Sequence, residues 1–64
     1  MQQKFNDLMK EYYVTFDELA TRLGVSKRTL TKKFNGSLDW TFQEMLLIAQ
    51  IFNISDIEAF FFNK

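Results

Sequence analysis

Positive charge is concentrated in one short stretch of the 64-residue chain. Five cations and no acid lie between Leu19 and Leu38, whereas the remainder carries three lysines against all eight acids. The formal net charge of zero therefore conceals a charge dipole, and such a protein can still present a local basic face. The five cations are Arg22, Lys27, Arg28, Lys32 and Lys33.

Four polar side chains in this stretch have the spacing of one helical face, namely Lys27, Arg28, Thr31 and Lys32. A basic helix with few core residues suits the DNA major groove, where side chains near its N-terminal end reach base edges. Arg28 can bond guanine O6 and N7, and the lysines can reach guanine or phosphate. Thr31 can offer its hydroxyl, or pack its methyl group on thymine. The alternative is a solvated surface helix whose lysines only maintain solubility.

The ends of the same helix suit contacts with phosphates. Ser26 would cap its start, and Asn35 follows its last turn. Thr29 stands where the other capped helices of the chain have a glutamate, and the lack of an acid there favours a phosphate-facing surface, with chance as the alternative.

The chain contains few of the residue types that enzymes use for catalysis. There is no histidine or cysteine, and only two glycines are present to build a phosphate-binding loop. The adjacent acids Asp17 and Glu18 diverge by about 100° on a helix and cannot share a site. The acidic residues also lack the spacing of a calcium-binding loop. We therefore expect no enzyme activity, metal, cofactor or small-molecule ligand.

Capping signals predict where helices start. Each predicted start has an apolar residue, then a Ser or Thr cap, then an apolar or small residue four positions after the cap. These signals predict helix starts near residues 16, 27, 42 and 56, after a first helix from Gln2 to Tyr13, and hence one all-α domain of five helices over residues 1–64. Capping boxes are expected at Thr15–Glu18, Thr41–Glu44 and Ser55–Glu58.

Apolar periodicity predicts which faces are buried. The helix from Phe42 to Phe52 is the most apolar and is expected to form the buried centre of the bundle. The last helix, from Asp56 to about Phe62, ends in three consecutive phenylalanines, which span about 200° and cannot all face one small core. Phe62 is therefore expected to be exposed or to contact a partner, with a frayed terminus as the alternative. The face expected to be buried in the fourth helix carries Phe42, Met45, Leu46, Ala49 and Phe52, and it is widened by Leu47, Ile48 and Ile51.

The start of the chain and its apolar runs bear on its compartment. No apolar run approaches the roughly 20 residues of a membrane span. Met1 leads directly into the polar sequence Gln2-Gln3-Lys4, which is unlike a signal peptide. We therefore expect a cytoplasmic protein without a membrane partner.

The stretch from Thr15 to Gly36 resembles the helix-turn-helix of lambda-repressor-like regulators, the family of phage repressors and Cro-type proteins. The family's fold is a five-helix bundle with this motif as its second and third helices, so the resemblance extends over essentially the whole chain. The residues that carry it are Leu19-Ala20, the turn Leu23-Gly24-Val25, the cap Ser26, the core residue Leu30, and Phe34 before Asn35-Gly36.

The resemblance implies a sequence-specific, double-stranded DNA-binding repressor that binds its operator as a homodimer. It implies base contacts from Lys27, Arg28, Thr31 and Lys32. Family members often carry a DNA-contacting glutamine where this chain has Asp17 and Glu18, so that contact is not expected here. Lys33 stands where many members have an apolar residue, and it is expected to cover the core edge with its aliphatic stem while its charge reaches out. The expected phosphate contacts are Ser26, Arg22, Lys33, Asn35, Thr15 and Thr41.

A protein-interaction module on the same fold is the alternative function. Such a module would act as an antirepressor or dock on another regulator without binding DNA. The zero net charge and the run Phe60-Phe61-Phe62 favour it. A homodimer contact through Phe62 fits both functions.

Overall fold

Five helices account for most of residues 2–62, which are the residues that the computed structural model describes. No strand occurs within this range, so the prediction of an all-α fold with five helices is confirmed. The Cα radius of gyration is 10.8 Å, about that of a compact globule of this length. None of the helices described in the structure is long and apolar enough to cross a membrane. The helices are α1 (Gln2–Tyr12), α2 (Phe16–Leu23), α3 (Lys27–Phe34), α4 (Phe42–Phe52) and α5 (Ile57–Phe62).

Side-chain caps begin α2, α3 and α4 as predicted. Thr15, Ser26 and Thr41 each accept a hydrogen bond of 3.1 Å from the backbone N–H three residues later. Only the box at Thr41 is complete, since the Glu44 side chain also accepts from the Thr41 N–H at 2.9 Å. Caps of this kind each contribute about 1 kcal/mol to helix stability.

The other two predicted capping boxes do not form. Glu18 is turned toward Arg22 instead of the backbone of Thr15. At α5 the cap is Asp56, whose carboxylate accepts from the Ala59 N–H at 3.0 Å, so the helix begins one residue later than predicted. Asp caps a helix as well as Ser does, and Ser55 and Asp56 are adjacent in the sequence.

Three helices end in the same way. Tyr13, Gly24 and Asn53 have positive φ angles of 55°, 74° and 54° after α1, α2 and α4. In each case the next residue is β-branched and apolar, and its N–H bonds to the carbonyl five residues back at 2.9–3.0 Å. This hydrogen bond and the left-handed residue form the Schellman ending of a helix. The three β-branched residues are Val14, Val25 and Ile54, and all pack on the core.

Phe5 lies at the centre of an aromatic cluster that connects most of the fold. Its side chain is 0% exposed. Its ring centroid lies 4.7 Å from that of Phe34 on α3, and 5.4 Å from those of Trp40 and Phe60. Phe16 of α2 packs edge-on against Phe34 at 5.5 Å. The cluster therefore holds α3 and α5 against α1.

The buried face of α4 differs from the prediction. Phe42 is 70% exposed and Leu46 is 39% exposed, although both were expected to be buried. Met45, Ile48 and Phe52 are buried in agreement with the prediction, and Glu44 lies with them on the inward face. Periodicity alone could not predict this face, because apolar residues surround most of α4. The hydrogen bond and ion pair of Glu44 fix the rotation of the helix about its axis.

The left-handed helix ends give a matched pair of stability predictions. Tyr13→Gly should raise the free energy of unfolding by about 0.5 kcal/mol, because it removes the strain of a positive φ at a side chain that is 90% exposed. Gly24→Ala should lower it by about 1 kcal/mol, although no atom lies within 4 Å of the added Cβ. Urea unfolding followed by circular dichroism measures both. Equal effects of the same sign would contradict the assigned backbone conformations.

Candidate functional site

The outward face of α3 carries the four side chains that were predicted to read bases. Lys27, Arg28, Thr31 and Lys32 are all exposed. Leu30, on the opposite side of the helix, is completely buried. The predicted spacing therefore places the polar and basic side chains on one side of a helix whose opposite side is held in the core by Leu30. We refer to these four residues as the basic face.

Local sequence fixes how α3 is held against α2. Gly24 ends α2 in the left-handed conformation, Val25 packs on the core, and Ser26 caps α3. Ala20, 3% exposed, belongs to the same buried cluster as Leu30. A three-residue connection and a small side chain on α2 allow the two helices to pack closely.

Several polar groups of the site are already hydrogen-bonded within the chain. The Ser26 hydroxyl donates to the Thr29 hydroxyl at 3.0 Å, and the Thr31 hydroxyl donates to the Lys27 carbonyl at 2.9 Å. The Asn35 side-chain oxygen accepts from the Ser37 N–H at 3.0 Å. Thr31 is thus left with an accepting oxygen and a methyl group to present outward, and Asn35 with its amide NH₂.

Two of the exposed cations form ion pairs with the acids at the start of α2. The Lys27 ammonium lies 3.3 Å from the Asp17 carboxylate, and the Arg22 guanidinium lies 3.1 Å from that of Glu18. Exposed pairs of this kind contribute only about 0–1 kcal/mol. Arg28 and Lys32 take part in none of the ion pairs that residues 2–62 form.

The structure places Lys33 in the interior, which corrects the expectation that its charge reaches out. The residue is 8% exposed, and its ammonium lies 2.9 Å from the Glu44 carboxylate. The ammonium also donates to the Asp39 carbonyl at 2.8 Å and lies 5.8 Å from the centre of the Trp40 ring. A lysine held in this way is not presented to a phosphate at the surface. The signal for burial was its position three residues after Leu30, on the inward side of α3.

Glu44 is the ion-pair partner of this buried lysine. Burial acts to raise the pKa of its carboxyl group. The backbone hydrogen bond from Thr41, together with the hydrogen bond and charge of Lys33, outweighs burial and holds the pKa below its ordinary value of 4.5. The ion pair and the cap of α4 therefore share one carboxylate.

The remaining predicted site residues lie at the surface. Thr15 and Thr41 are exposed, and their hydroxyls accept the capping hydrogen bonds of α2 and α4. Phe62 is 59% exposed, while Phe60 and Phe61 are partly buried against the core, which confirms that the three rings do not share one environment. No group of three acidic side chains that could hold a metal ion forms in the described part of the chain.

The buried ion pair predicts an asymmetric response to mutation. Lys33→Met should lower the free energy of unfolding by about 3 kcal/mol, because Glu44 loses its partner inside the protein. The double variant Lys33→Met/Glu44→Gln should recover most of this loss, since glutamine can still complete the capping box. Urea unfolding of the three proteins checks this. A loss below 1 kcal/mol in the single variant would mean that the pair behaves as a surface pair.

The lowered pKa of Glu44 predicts that acid destabilises the protein. Its stabilisation is fully present above the unfolded-state value near 4.5 and is lost as the pH falls through the lower folded-state pKa. The free energy of unfolding should therefore fall more steeply below pH 4.5 in the parent protein than in Glu44→Gln. Glu11→Gln, which removes one negative charge from an exposed position on α1, is the matched control. Identical acid slopes for the parent and Glu44→Gln would contradict the assignment.

Comparison of the chain with protein-family models, with curated proteins and with solved structures finds no match. No relative therefore contributes to the assignment of a function. What supports an assignment is the geometry and charge of the residues described above, with the basic face of α3 as the main surface feature.

Proposed function

We propose that this protein is a sequence-specific, double-stranded DNA-binding regulator that represses transcription by occupying its operator. The observation that carries the proposal is the basic face, which presents Lys27, Arg28, Thr31 and Lys32 on one exposed side of α3. In this proposal α2 and α3 are a helix-turn-helix, with Gly24–Ser26 as the turn and α3 as the recognition helix. The major groove of B-DNA accepts a recognition helix of this kind.

Each residue of the basic face has a defined chemical role in the proposed complex. Arg28, with no ion-pair partner in residues 2–62, can donate two hydrogen bonds to guanine O6 and N7. Thr31 donates its proton to the Lys27 carbonyl, so it reads bases through its oxygen as an acceptor or through its methyl group on thymine. Lys27 and Lys32 reach guanine or phosphate.

The phosphate contacts of the proposed complex come from residues around the basic face. Asn35 retains its amide NH₂ for this purpose, and Arg22 lies on the last turn of α2. Lys33 is not among them because its ammonium is buried against Glu44. The proposed phosphate contacts are Ser26, Arg22, Asn35, Thr15 and Thr41.

The proposed complex should depend strongly on salt. If two subunits bind one near-palindromic site with about three phosphate contacts each, the logarithm of the binding constant should fall with the logarithm of salt concentration at a slope of about −5. The site would first be selected from a random duplex pool, and binding then titrated at several salt concentrations. Absence of binding at low salt, or binding that does not respond to salt, would refute the proposal.

Two variants assign the roles within this titration. Arg28→Ala should weaken the selected site by about 1–3 kcal/mol and relax the preference at one base pair, because a bidentate contact is lost. The variant Lys33→Met/Glu44→Gln keeps the net charge and the exposed face, and should bind like the parent protein. Uniform weakening of all sequences by Arg28→Ala would exclude a base-reading role.

A protein-interaction module is the second candidate, and four exposed large apolar side chains favour it. Such side chains would form a docking surface for another regulator or for a second copy of this chain. If duplexes do not bind at low salt while sedimentation shows a complex that Phe62→Ser dissociates, the interaction module replaces the DNA-binding proposal. The four side chains are Leu38, Phe42, Leu46 and Phe62.

A further inference from the structure

The first turn of α2 places two carboxylates beside cations of the proposed DNA-binding surface. Asp17 follows the cap Thr15 by two residues, and its carboxylate reaches across to Lys27 at the first position of α3. Glu18, one residue later, pairs with Arg22 one turn further along α2. Half of the four exposed cations in the stretch from Leu19 to Leu38 are thus paired with acids from outside it.

We propose that Asp17 and Glu18 are specificity-determining residues that compete with DNA phosphates for Lys27 and Arg22. The proposal rests on the DNA-binding function proposed above. Both pairs are exposed and their carboxylates are acceptors of the same charge type as a phosphate oxygen, so the approaching duplex must displace them. The carboxylates thereby lower the attraction of this surface for any DNA sequence.

The weakness of exposed ion pairs makes this competition effective without blocking binding. A pair worth about 0–1 kcal/mol can be exchanged for a phosphate contact, but the exchange returns less free energy than the capture of an unpaired cation. Each ion pair therefore reduces the free energy that one phosphate contact contributes to DNA binding.

Arg28 and Lys32 differ in this respect from Lys27 and Arg22. They take part in no ion pair among the described residues, and Arg28 has the donor geometry that reads guanine. Non-specific binding consists almost wholly of phosphate attraction, whereas specific binding adds base contacts. Weakened phosphate attraction, together with base reading by Arg28, leaves sequence recognition as the deciding contribution, which suits a protein of zero net charge.

The test compares charge-matched variants on random-sequence duplex. For each bound subunit, Asp17→Asn should raise the affinity about 5- to 10-fold at about 0.1 M salt and steepen the logarithmic salt slope by nearly one unit, because Lys27 becomes a full phosphate contact. Glu18→Gln should act in the same direction through Arg22. The controls are Asp7→Asn and Glu11→Gln, which remove the same charge from exposed positions on α1 that enter no ion pair of residues 2–62.

The Lys27→Ala background separates competition for a cation from a general change in charge. In that background the gain from Asp17→Asn should fall to the level of Asp7→Asn. Equal gains from Asp17→Asn and Asp7→Asn in the parent background would overturn the proposal. So would a gain from Asp17→Asn that persists undiminished without Lys27.

Elution from immobilised heparin distinguishes this proposal from the proposed function. Heparin is a polyanion without base edges, so its binding reports the strength of the cationic surface alone. Asp17→Asn and Glu18→Gln should elute at higher salt than Asp7→Asn and Glu11→Gln even if no operator is found. A later elution of the first pair without duplex selectivity would refute the DNA-reading function and retain the competition, whereas co-elution of all four would refute the competition.

Discussion

The ion pair between Lys33 and Glu44 is the interaction on which the arrangement around α3 depends. It joins the end of α3 to the first turn of α4, and the Asp39 carbonyl completes the hydrogen bonding of the lysine. A buried ion pair offsets its desolvation only when its geometry is good and its remaining hydrogen bonds are made. These requirements fix the rotation of α4, and they hold the Lys33 ammonium in the interior, away from the basic face.

The aromatic cluster around Phe5 supplies the apolar support for the same region. Phe34 stacks on Phe5 at the last residue of α3, and Trp40 contacts both rings and lies under the Lys33 ammonium. The C-terminal end of α3 is thus held by aromatic packing and by the ion pair together. Its N-terminal end is held by the Ser26 cap and by Leu30. A short helix with few core residues is rigid enough to present an outer face when both of its ends are fixed.

Charge in this protein is organised by fold as well as by sequence. The acids at the start of α2 stabilise the positive end of that helix and, at the same time, lie against cations of α2 and α3. The outer surface of α3 therefore combines paired and unpaired cations. In a DNA-binding protein this combination would favour base recognition over general attraction to phosphate, which links the absence of net charge to the proposed function.

The sequence by itself determined the five helices and the exposed basic face. Caps such as Ser26, the left-handed Gly24 and the spacing of Lys27, Arg28, Thr31 and Lys32 act locally, so they could be predicted from neighbouring residues. Tertiary structure decided the pairing of Lys33 with Glu44, the exposure of Phe42 and the pairing of Asp17 with Lys27. Each of these depends on a partner from another helix, and helical periodicity contains no information about which residues of separate helices will meet.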